Sequence, residues 1–359
     1  MELRRLWLTD FRSYRTAEVP FGAGLTAVVG PNGQGKTNLL EALGYLATLG
    51  SFRGAPTDAL VRVGAERAVV RAEGTNEGRD LLLEAELVAG GRGRMQVNRQ
   101  RLARARDLLG HVRVSVFSPD DLELVKGGPG ERRRYLDDAL VALHVRNDAL
   151  LRDLERIVRQ RNALLRQAGG RLTDDVETTL DVWDAKLAET GESVAAARAE
   201  LVEALAPTLQ VAYAQVAGRE VPVTARYVAP WREVGLGPAL AAGRRDDLRR
   251  GVTLVGPHRD ELELRIDAMP SRTHASQGEQ RSLAWALRLA AHLVVRDAVG
   301  TAPVLLLDDV FSELDPGRSQ GLLDGLPPGQ TVLTTAGGLP PDARPEVVVE
   351  VRDGTVAVH

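Results

Sequence analysis

The sequence predicts an α/β protein: a head with a β-rich subdomain, divided along the chain by an inserted helical hairpin. An apolar strand, a glycine-rich loop and a helix follow one another near the N-terminus. Apolar residues adopt a helical period from Leu136, and strands return after Pro207. We therefore expect residues 1–128 and 207–359 to form the halves of the head, and residues 129–206 to form a helical arm.

The composition restricts the class of protein. The 359 residues contain no cysteine, which excludes disulfides, thiolate zinc sites and a cysteine nucleophile. No run of about 18 apolar residues occurs, and MELRRLWLTDFRSY lacks the apolar core of a signal peptide. We expect a cytoplasmic protein without membrane contact. The formal net charge is −3, so contacts with nucleic acid must come from local basic patches.

The first motif is GPNGQGKT, which follows the predicted strand at 25–29 and matches G-x-x-x-x-G-K-[ST] in full. In this pattern backbone N–H groups surround phosphates, the lysine reaches the β and γ phosphates, and the threonine hydroxyl holds Mg²⁺. The predicted nucleotide contacts are Gly30, Pro31, Asn32, Gly33, Gln34, Gly35, Lys36 and Thr37. We expect the chain to bind ATP or another nucleoside triphosphate with Mg²⁺.

The arm follows further short strands predicted at 68–72, 81–88 and 112–117. Apolar residues recur in steps of four and three from Leu136 to Leu164 and, after the breaker AGG, from Val176 to Leu201. This spacing predicts an antiparallel hairpin whose arms have about 30 residues, hence roughly 45 Å each.

A second acidic motif is VLLLDD at 304–309, which predicts a buried strand that ends in two carboxylates. Asp308 is placed to support Mg²⁺, and Asp309 to orient the attacking water. Lys36, Asp308 and Asp309 are therefore the predicted catalytic residues. The alternative is an ordinary helix N-cap after a core strand.

The stretch HASQGEQRSLAWAL at 274–287 predicts a helix start that is able to receive an anion. Ser276 and Glu279 have the spacing of a capping box, which explains a helix start. The capping box does not explain Gly278, because glycine is a poor helix former that leaves the amides bare for close approach. An ordinary capped core helix is the alternative.

The combined motifs resemble known families. The phosphate-binding loop, SQGEQ, and DD followed by SELD at 312–315 resemble the motif set of ABC-type ATPases. The stretches LTDFRSY, SPDDLELVKGGPGERRRYLD, WDAKL and VGPHRDELEL resemble the RecF family of bacterial DNA repair ATPases, whose heads are similar to those of SMC proteins. The resemblance covers nearly the whole chain.

The resemblance implies a nucleotide shared between two chains, with the signature helix of one subunit capping the γ phosphate held by the other. It adds Ser276, Gly278, Gln280 and Asp315 to the nucleotide contacts. It also implies an ATP-dependent homodimer near the nucleoid, DNA binding at gaps with single-stranded regions, cooperation with RecO and RecR, RecA loading and SOS induction.

The sequence departs from the wider ABC pattern around the attacking water. Asp309 stands where related folds usually have glutamate, which predicts slow hydrolysis. Residues 117–120 replace a common glutamine, and Thr334 and Thr335 stand where a histidine is usual. We interpret His258 as a hydrogen-bonded structural histidine.

The sharpest basic cluster is GGRGRMQVNRQRLARAR at 90–106, which has six arginines and no acid. Arginines on a mobile hairpin suit phosphate contacts without sequence readout. A second candidate is the arginine run that begins the arm. The predicted DNA contacts are Arg92, Arg94, Arg99, Arg101, Arg104, Arg106, Arg132 and Arg133. The alternatives are a solvated surface loop and a run paired with neighbouring acids.

The leading hypothesis is an ATP-switched DNA clamp that acts as a recombination mediator, with weak DNA-stimulated ATPase activity. A short-armed SMC-like chromosome organiser is the first alternative, and the short arms argue against it. A nucleotide-binding subunit of an ABC transporter is the second. The missing histidine and the long segment between the phosphate-binding loop and SQGEQ argue against that reading.

Overall fold

The computed structural model describes residues 1–313, 316–339 and 342–359. These residues form two compact units. The first consists of Met1–Leu122, Val211–Glu220 and Gln277–His359, and the second of Glu123–Gln210 and Val221–Ser276. Residues 221–276, which the sequence places in the second half of the head, thus group with the helical unit.

The candidate site lies on a six-stranded sheet of the first unit. Its strands are β3 (Leu25–Val29), β8 (Val114–Phe117), β12 (Val304–Asp308), β13 (Thr331–Thr335), β14 (Val347–Arg352) and β15 (Thr355–Val358). Their order is β15-β14-β3-β13-β12-β8, and all neighbours are parallel except β14 and β15. Because the carboxyl ends of parallel strands meet at one edge, the residues that follow β3, β8, β12 and β13 come together there.

A second sheet of the first unit is antiparallel. Its strands are β1 (Glu2–Phe11), β2 (Tyr14–Pro20), β4 (Arg67–Asn76), β5 (Arg79–Val88), β6 (Arg94–Val97) and β7 (Gln100–Arg101), in the order β2-β1-β4-β5-β6-β7. Buried residues alternate with more exposed ones along β4 and β5, as expected for a sheet with one face on a core. The short strand β7 forms one edge of this sheet.

The first unit also contains helical segments. They are α1 (Lys36–Thr48), α8 (Gln277–Val299), α9 (Pro316–Asp324) and the last part of α5 (Asp174–Ala217). Leu39 and Leu43 of α1 join Leu6, Val70 and Val28 of the sheets in one buried cluster. This packing fixes α1, and with it the loop that precedes α1.

The second unit is mainly helical. Its elements are α2 (Glu123–Lys126), α3 (Pro129–Leu143), α4 (Arg146–Ala168), most of α5, α6 (Leu236–Arg250), α7 (Ser271–His274) and the strands β9 (Val223–Val228), β10 (Glu261–Ile266) and β11 (Met269–Pro270). The strands β9 and β10 pair antiparallel. The helix α6 was not anticipated from the sequence.

The first arm is broken and the second is longer than the sequence predicts. The chain is extended at His144, and the side chain of Asn147 donates a hydrogen bond to the carbonyl oxygen of Leu140, 2.8 Å away. Asn147 therefore adds a second hydrogen bond to a helix-end carbonyl that also accepts the N–H group of His144, 3.0 Å away. Helix α5 continues through Pro207, because its neighbours Leu205 and Leu209 are fully buried.

A buried charge explains one polar position in the apolar register of the arm. Arg161 is fully buried, and its Nε and Nη1 atoms lie 2.6 Å from Asp184 Oδ1 and Asp247 Oδ2. A buried charge of this kind is tolerated when it is paired and hydrogen-bonded. Among the described residues, no helix has both the length and the apolar character needed to cross a membrane.

Candidate nucleotide-binding site

The phosphate-binding loop joins β3 to α1 with glycines at positions that other residues adopt poorly. Gly30 and Gly35 have φ angles of 151° and 108°. A Cβ placed on Gly30 would lie 2.3 Å from the carbonyl oxygen of Val351, and one on Gly35 would lie 2.7 Å from Ser13 Oγ. The loop is thus pressed against β14 and the β1–β2 turn, and glycine is required at both positions.

Gln34 has a structural contact within this loop. Its Oε1 atom accepts a hydrogen bond from the N–H group of Asp353, 2.5 Å away, in the β14–β15 turn. The side chain therefore ties the loop to the C-terminal hairpin, while Asn32 is exposed at the tip of the loop. The sequence motif does not predict this tie.

Lys36 is held at the loop by backbone carbonyls. Its side chain is buried, and Nζ donates to the carbonyl oxygens of Gly30 and Pro31, each 2.8 Å away. Burial lowers the pKa of Lys36, while the charges of Asp309 and Asp308 oppose that shift. The ammonium group therefore lies where it can exchange carbonyl partners for phosphate oxygens.

The two predicted Mg²⁺-binding residues touch one another. The hydroxyl of Thr37 donates to Asp308 Oδ1 at 2.8 Å, and the hydroxyl of Thr334 donates to the same oxygen at 2.8 Å. Burial raises the pKa of Asp308, and the two hydroxyl hydrogen bonds oppose that shift. Each hydroxyl thus stabilises the ionised carboxylate.

These residues fit a magnesium ion. The hydroxyl and carboxylate oxygens are the hard ligands that Mg²⁺ prefers, and Mg²⁺ is usually held by one or two such groups together with phosphates and water. Among the described residues there is no group of three or more His, Cys, Asp or Glu that could hold a metal alone. Thr37 and Asp308 together with a triphosphate therefore suit this ion.

Asp309 is oriented by β13. Its φ of 48° is uncommon for a residue other than glycine, and its N–H group donates to Thr334 Oγ1 at 3.0 Å. Its Oδ1 atom is buried and has no hydrogen-bond partner among the described residues. Within the described part of the chain, one oxygen of this carboxylate is therefore not engaged by other protein groups.

The segment that lacks the usual glutamine is joined to α8. Ser118 follows β8 directly, and its N–H group donates to Asp121 Oδ2 at 2.9 Å. Asp121 in turn accepts hydrogen bonds from Arg288 of α8, the shorter at 2.7 Å. The residues after β8 are thus linked to the helix that carries SQGEQ.

Two charged residues near the loop were missed in the sequence. Arg53 is exposed, and its positive charge helps to keep Asp308 ionised, against the burial that raises the pKa of that carboxyl. Glu41 of α1 is fully buried and accepts two hydrogen bonds from Arg12, each 2.7 Å long, and one from Ser51. Neither residue stands in a recognisable spacing, so no sequence signal marks it.

The helix start predicted at SQGEQ is present. Ser276 is exposed and precedes the first residue of α8, and Glu279 is paired with Arg219. Gln280 is only 4% exposed. The prediction that Gln280 contacts a nucleotide held by another chain is therefore wrong, because its side chain is buried within its own unit. Asp315 lies outside the described residues.

Gly278 has a close neighbour that the sequence does not reveal. A Cβ placed on Gly278 would lie 2.5 Å from Arg318 Nη1 and 2.7 Å from Arg318 Nη2. The guanidinium group of Arg318, on α9, thus covers the first turn of α8. The absence of a side chain at Gly278 thus lets the end of the Arg318 side chain lie against the helix.

The predicted DNA contacts fall into two groups. All six arginines between residues 90 and 106 are exposed, around the β6–β7 edge hairpin, where Asn98 and Arg99 form a turn with positive φ angles. Arg94 lies 3.7 Å from Glu86. The arginines are thus displayed together at one edge of the antiparallel sheet.

The arginine run on α3 is different. Arg132 is 6% exposed, and its guanidinium bonds Glu261 twice, at 2.7 and 2.8 Å, besides two backbone carbonyls. Its predicted contact with DNA is wrong, because a glutamate 129 positions along the chain holds it inside the unit. Arg133 is partly buried and donates to the carbonyl oxygen of Asp260 at 2.8 Å.

His258 lies in the helical unit and has a structural contact. Its Nε2 atom is 3.0 Å from the carbonyl oxygen of Thr253, and burial lowers its pKa to about 4. The ring is therefore neutral near pH 7, consistent with a hydrogen-bonded structural histidine.

Comparisons with known proteins agree with this geometry. The family described as RecF/RecN/SMC N terminal domain matches residues 2–328. The DNA replication and repair protein RecF of Streptomyces avermitilis is 48% identical over 351 residues, which cover 94% of this chain and 93% of that protein. The RecF of Frankia alni is 46% identical over 354 residues, with the same coverage of 94% and 93%.

Solved structures show the same relationship. A structure of the recombination mediator protein RecF with ATP in the RecFOR pathway superposes with a TM-score of 0.91 at 29% identity, covering 100% of this chain and 97% of that chain. An SMC head bound to the C-winged helix domain of ScpA has a TM-score of 0.58 at 20% identity, over 100% of this chain and 97% of that chain, and shows a shared fold. From the motifs, the site and these matches, the chain belongs to the RecF family.

Proposed function

We propose that this protein is an ATP-dependent DNA-binding recombination mediator in DNA repair and replication restart, and that ATP-driven homodimerisation is its switch. Its relatives are named DNA replication and repair proteins, and one solved relative is described as a recombination mediator with ATP. The observation that carries the proposal is the prepared phosphate site, in which Lys36, Thr37 and Asp308 converge at the carboxyl ends of β3 and β12.

The site residues suggest how ATP is bound and hydrolysed. Lys36 exchanges the carbonyl oxygens of its own loop for oxygens of the β and γ phosphates. A Mg²⁺ ion held by Thr37 and Asp308 would neutralise charge on the phosphates. Asp309, whose Oδ1 has no partner among the described residues, orients the attacking water. The side chain of Asp309 is shorter than the glutamate usual in related folds. We therefore expect slow ATP turnover, as a switch requires.

The second part of the proposal is that the exposed helix start at Ser276 and Gly278 receives the γ phosphate of a nucleotide bound to another copy of the chain. A charge-assisted hydrogen bond contributes roughly 1.5 to 3 kcal/mol, and a helix N-terminus roughly 0.3 to 2 kcal/mol. Two symmetric sites would then contribute about 4 to 10 kcal/mol. Moving an equilibrium from 1:99 to 99:1 takes about 5.5 kcal/mol, which lies within this range, so the two sites have the magnitude that such a switch needs.

The proposal for DNA rests on the exposed arginines of the β6–β7 hairpin. Arginines at an exposed edge suit contacts with phosphates of any sequence. DNA in single-stranded, duplex or gapped form is therefore the expected partner, and we place the protein at the nucleoid in the cytoplasm. RecO and RecR are further expected partners, because the solved relative is described within the RecFOR pathway.

Sedimentation of an Asp309→Asn variant tests the switch. The variant should form dimers with ATP and monomers with ADP, because it binds nucleotide but hydrolyses it slowly. Ser276→Arg should abolish the dimer and retain nucleotide binding, since it introduces a bulky cation at the helix start. A chain that stays monomeric with ATP would contradict the switch, and joint loss of both properties in Ser276→Arg would contradict the shared site.

A further inference from the structure

A small cavity in the first unit is bounded by the end of β12, the residues that follow β8, and helix α8. Its volume is about 60 Å³, and its wall includes Trp285 of α8 and Asp309. One water molecule needs roughly 10 to 15 Å³ of such volume, whereas pockets for small-molecule ligands have roughly 300 Å³ or more. The cavity therefore has room for water and is too small for a nucleotide.

Two buried polar atoms of these residues have no protein partner. Trp285 is 7% exposed, and its Nε1 atom has no hydrogen-bond acceptor in the described part of the chain. Asp309 Oδ1 is buried as well and has no donor among the same residues. The indole N–H group can only donate, and a carboxylate oxygen accepts. The two atoms are thus complementary, and buried polar atoms of this kind nearly always bind protein or ordered water.

The indole ring of Trp285 is fixed relative to the parallel sheet. Its centroid lies 4.1 Å from that of the Phe117 ring, with 42° between the ring planes, and Phe117 is 1% exposed. Phe117 is the last residue of β8, which pairs with β12. The ring therefore packs against the strand next to the one that leads to Asp309.

The other acidic residue in the cavity wall already has protein partners. Asp121 accepts hydrogen bonds from the N–H group of Ser118 on one oxygen and from the guanidinium group of Arg288 on the other. Asp309 Oδ1 is therefore the carboxylate oxygen of this wall that still requires a donor.

We propose that a water molecule in this cavity accepts a hydrogen bond from Trp285 Nε1 and donates one to Asp309 Oδ1. A direct bond between the two side chains is absent from the described structure, so a bridging group is needed. The bridge fixes the plane of the carboxylate and leaves its other oxygen for the attacking water. Trp285 is then a positioning residue for ATP hydrolysis, which acts on the nucleotide only through Asp309.

The inference rests on the proposed role of Asp309 in orienting the attacking water. It deepens that role by connecting the carboxylate to α8, the helix that begins at SQGEQ. Trp285 lies beyond SQGEQ and outside the sequence motifs, so it is an additional residue of the hydrolysis site.

The first experiment removes the indole N–H group. Trp285→Phe keeps an aromatic ring beside Phe117 and should lower the turnover of bound ATP by roughly tenfold or more, as expected for loss of a group that orients a site residue. Affinity for ATP should change little, because Lys36 and Thr37 keep their contacts. Single-turnover hydrolysis and binding of a fluorescent ATP analogue measure the two effects.

Trp231→Phe is the matched control. Trp231 is also 7% exposed, but its Nε1 atom donates to Asp260 Oδ1 at 2.7 Å in the helical unit. The same substitution there removes a buried N–H group far along the chain from the hydrolysis site, and turnover should stay at the parent rate. An equal loss in the two variants would show a general effect of losing a buried tryptophan and would overturn the inference.

A double-variant cycle separates positioning from local packing. In an Asp309→Ala background, Trp285→Phe should cause no further loss of single-turnover rate, because its effect passes through the carboxylate that is already absent. A loss of the same factor in both backgrounds would mean that Trp285 acts through packing of α8, and the inference would be wrong.

Nuclear magnetic resonance of the parent protein tests the water directly and without nucleotide. The chain has four tryptophans, so ¹⁵N labelling gives four indole N–H signals, which are assigned by replacing the other three tryptophans one at a time. The Trp285 signal should show a nuclear Overhauser effect to bound water. It should also move upfield in Asp309→Ala, because the water loses its acceptor. An indole proton without contact to water would overturn the inference.

The outcomes distinguish this inference from the proposed function. If Asp309→Ala hydrolyses ATP at the parent rate, the proposed role of Asp309 fails and the inference fails with it. If Asp309→Ala is slow and Trp285→Phe hydrolyses ATP at the parent rate, only the inference fails.

Discussion

At the residue scale, the hydroxyl of Thr334 links the two acidic residues at the end of β12. Its hydroxyl donates to Asp308 Oδ1 at 2.8 Å and accepts from the N–H group of Asp309 at 3.0 Å. One side chain therefore holds the carboxylate of Asp308 and the backbone of Asp309. Its neighbour Thr335 donates instead to the carbonyl oxygen of Gly338, 3.0 Å away.

Replacing Thr334 by valine should slow ATP hydrolysis by roughly 10- to 100-fold, the usual cost of losing a group that orients a metal-binding residue. The shape of the side chain is kept, and Lys36 retains its contacts, so affinity for ATP should change little. Steady-state hydrolysis and equilibrium nucleotide binding measure the two effects. Thr335→Val is the matched control, because Thr335 is also buried in β13. Equal losses in both variants would contradict a specific role for Thr334.

Residues of the phosphate site are predictable from sequence because their chemistry depends on short spacings. Lys36 and Thr37 follow from one motif, and Asp308 from the carboxyl end of an apolar strand. Arg132 was misassigned because its partner Glu261 is distant in sequence. Arg318 was missed because its closeness to Gly278 depends on how α9 packs against α8, which no local pattern records.

At the scale of elements, α8 carries both the predicted signature at its start and a buried histidine near its end. His292 is 2% exposed, and its Nδ1 atom lies 2.9 Å from the hydroxyl oxygen of Ser115 on β8. Burial lowers its pKa to about 4, and the positive charge of Arg296 adds to that shift. The imidazole is therefore neutral in the folded protein at neutral pH and helps to hold α8 on the parallel sheet.

This histidine should make the first unit less stable in mild acid. The unfolded chain has a histidine pKa of about 6.5 and binds more protons than the folded chain below that value. The contribution of neutral His292 to the free energy of unfolding is thus fully present above pH 6.5 and decreases as the pH falls towards 4. At pH 5 this contribution is smaller by about 2 kcal/mol. Urea unfolding should show that the free energy of unfolding falls less between pH 7.5 and pH 5 in His292→Gln than in the parent protein. His144→Gln is the control because His144 is exposed, and an identical loss in all proteins would contradict the prediction.

Periodic apolar patterns in the sequence predict some helices of this protein but not all of their boundaries. The apolar steps mark α4 and α5 because each buries a regular stripe in the helical unit. The same steps cannot show the break at His144, which depends on the capping contact of Asn147. Helix α6 was missed because its buried apolar residues are few and its last turns read RRDDLRR. Tertiary packing, and not local pattern, selects these features.

At the scale of the whole molecule, charge is distributed unevenly over a chain that is acidic overall. The formal net charge is −3, yet six exposed arginines lie between residues 90 and 106. Other arginines are buried and stabilise the fold through ion pairs, such as Arg161 with Asp184 and Arg198 with Asp137. Binding of DNA must therefore depend on which arginines are displayed, and not on their total number.

Salt dependence of DNA binding can identify the displayed arginines that touch phosphate. Each phosphate contact contributes about 0.9 to the slope of the logarithm of affinity against the logarithm of salt concentration. Replacing Arg99, Arg101 and Arg104 together by glutamine should reduce that slope by up to about 2.7 and weaken binding equally on different sequences.

The control replaces Arg156, Arg159 and Arg249, which are also well exposed, but in the helical unit. Both triple variants carry the same net charge, so a long-range effect of charge alone would lower affinity equally in the two. An unchanged slope in the hairpin variant, measured with ATP on gapped DNA, would show that the hairpin is a solvated surface.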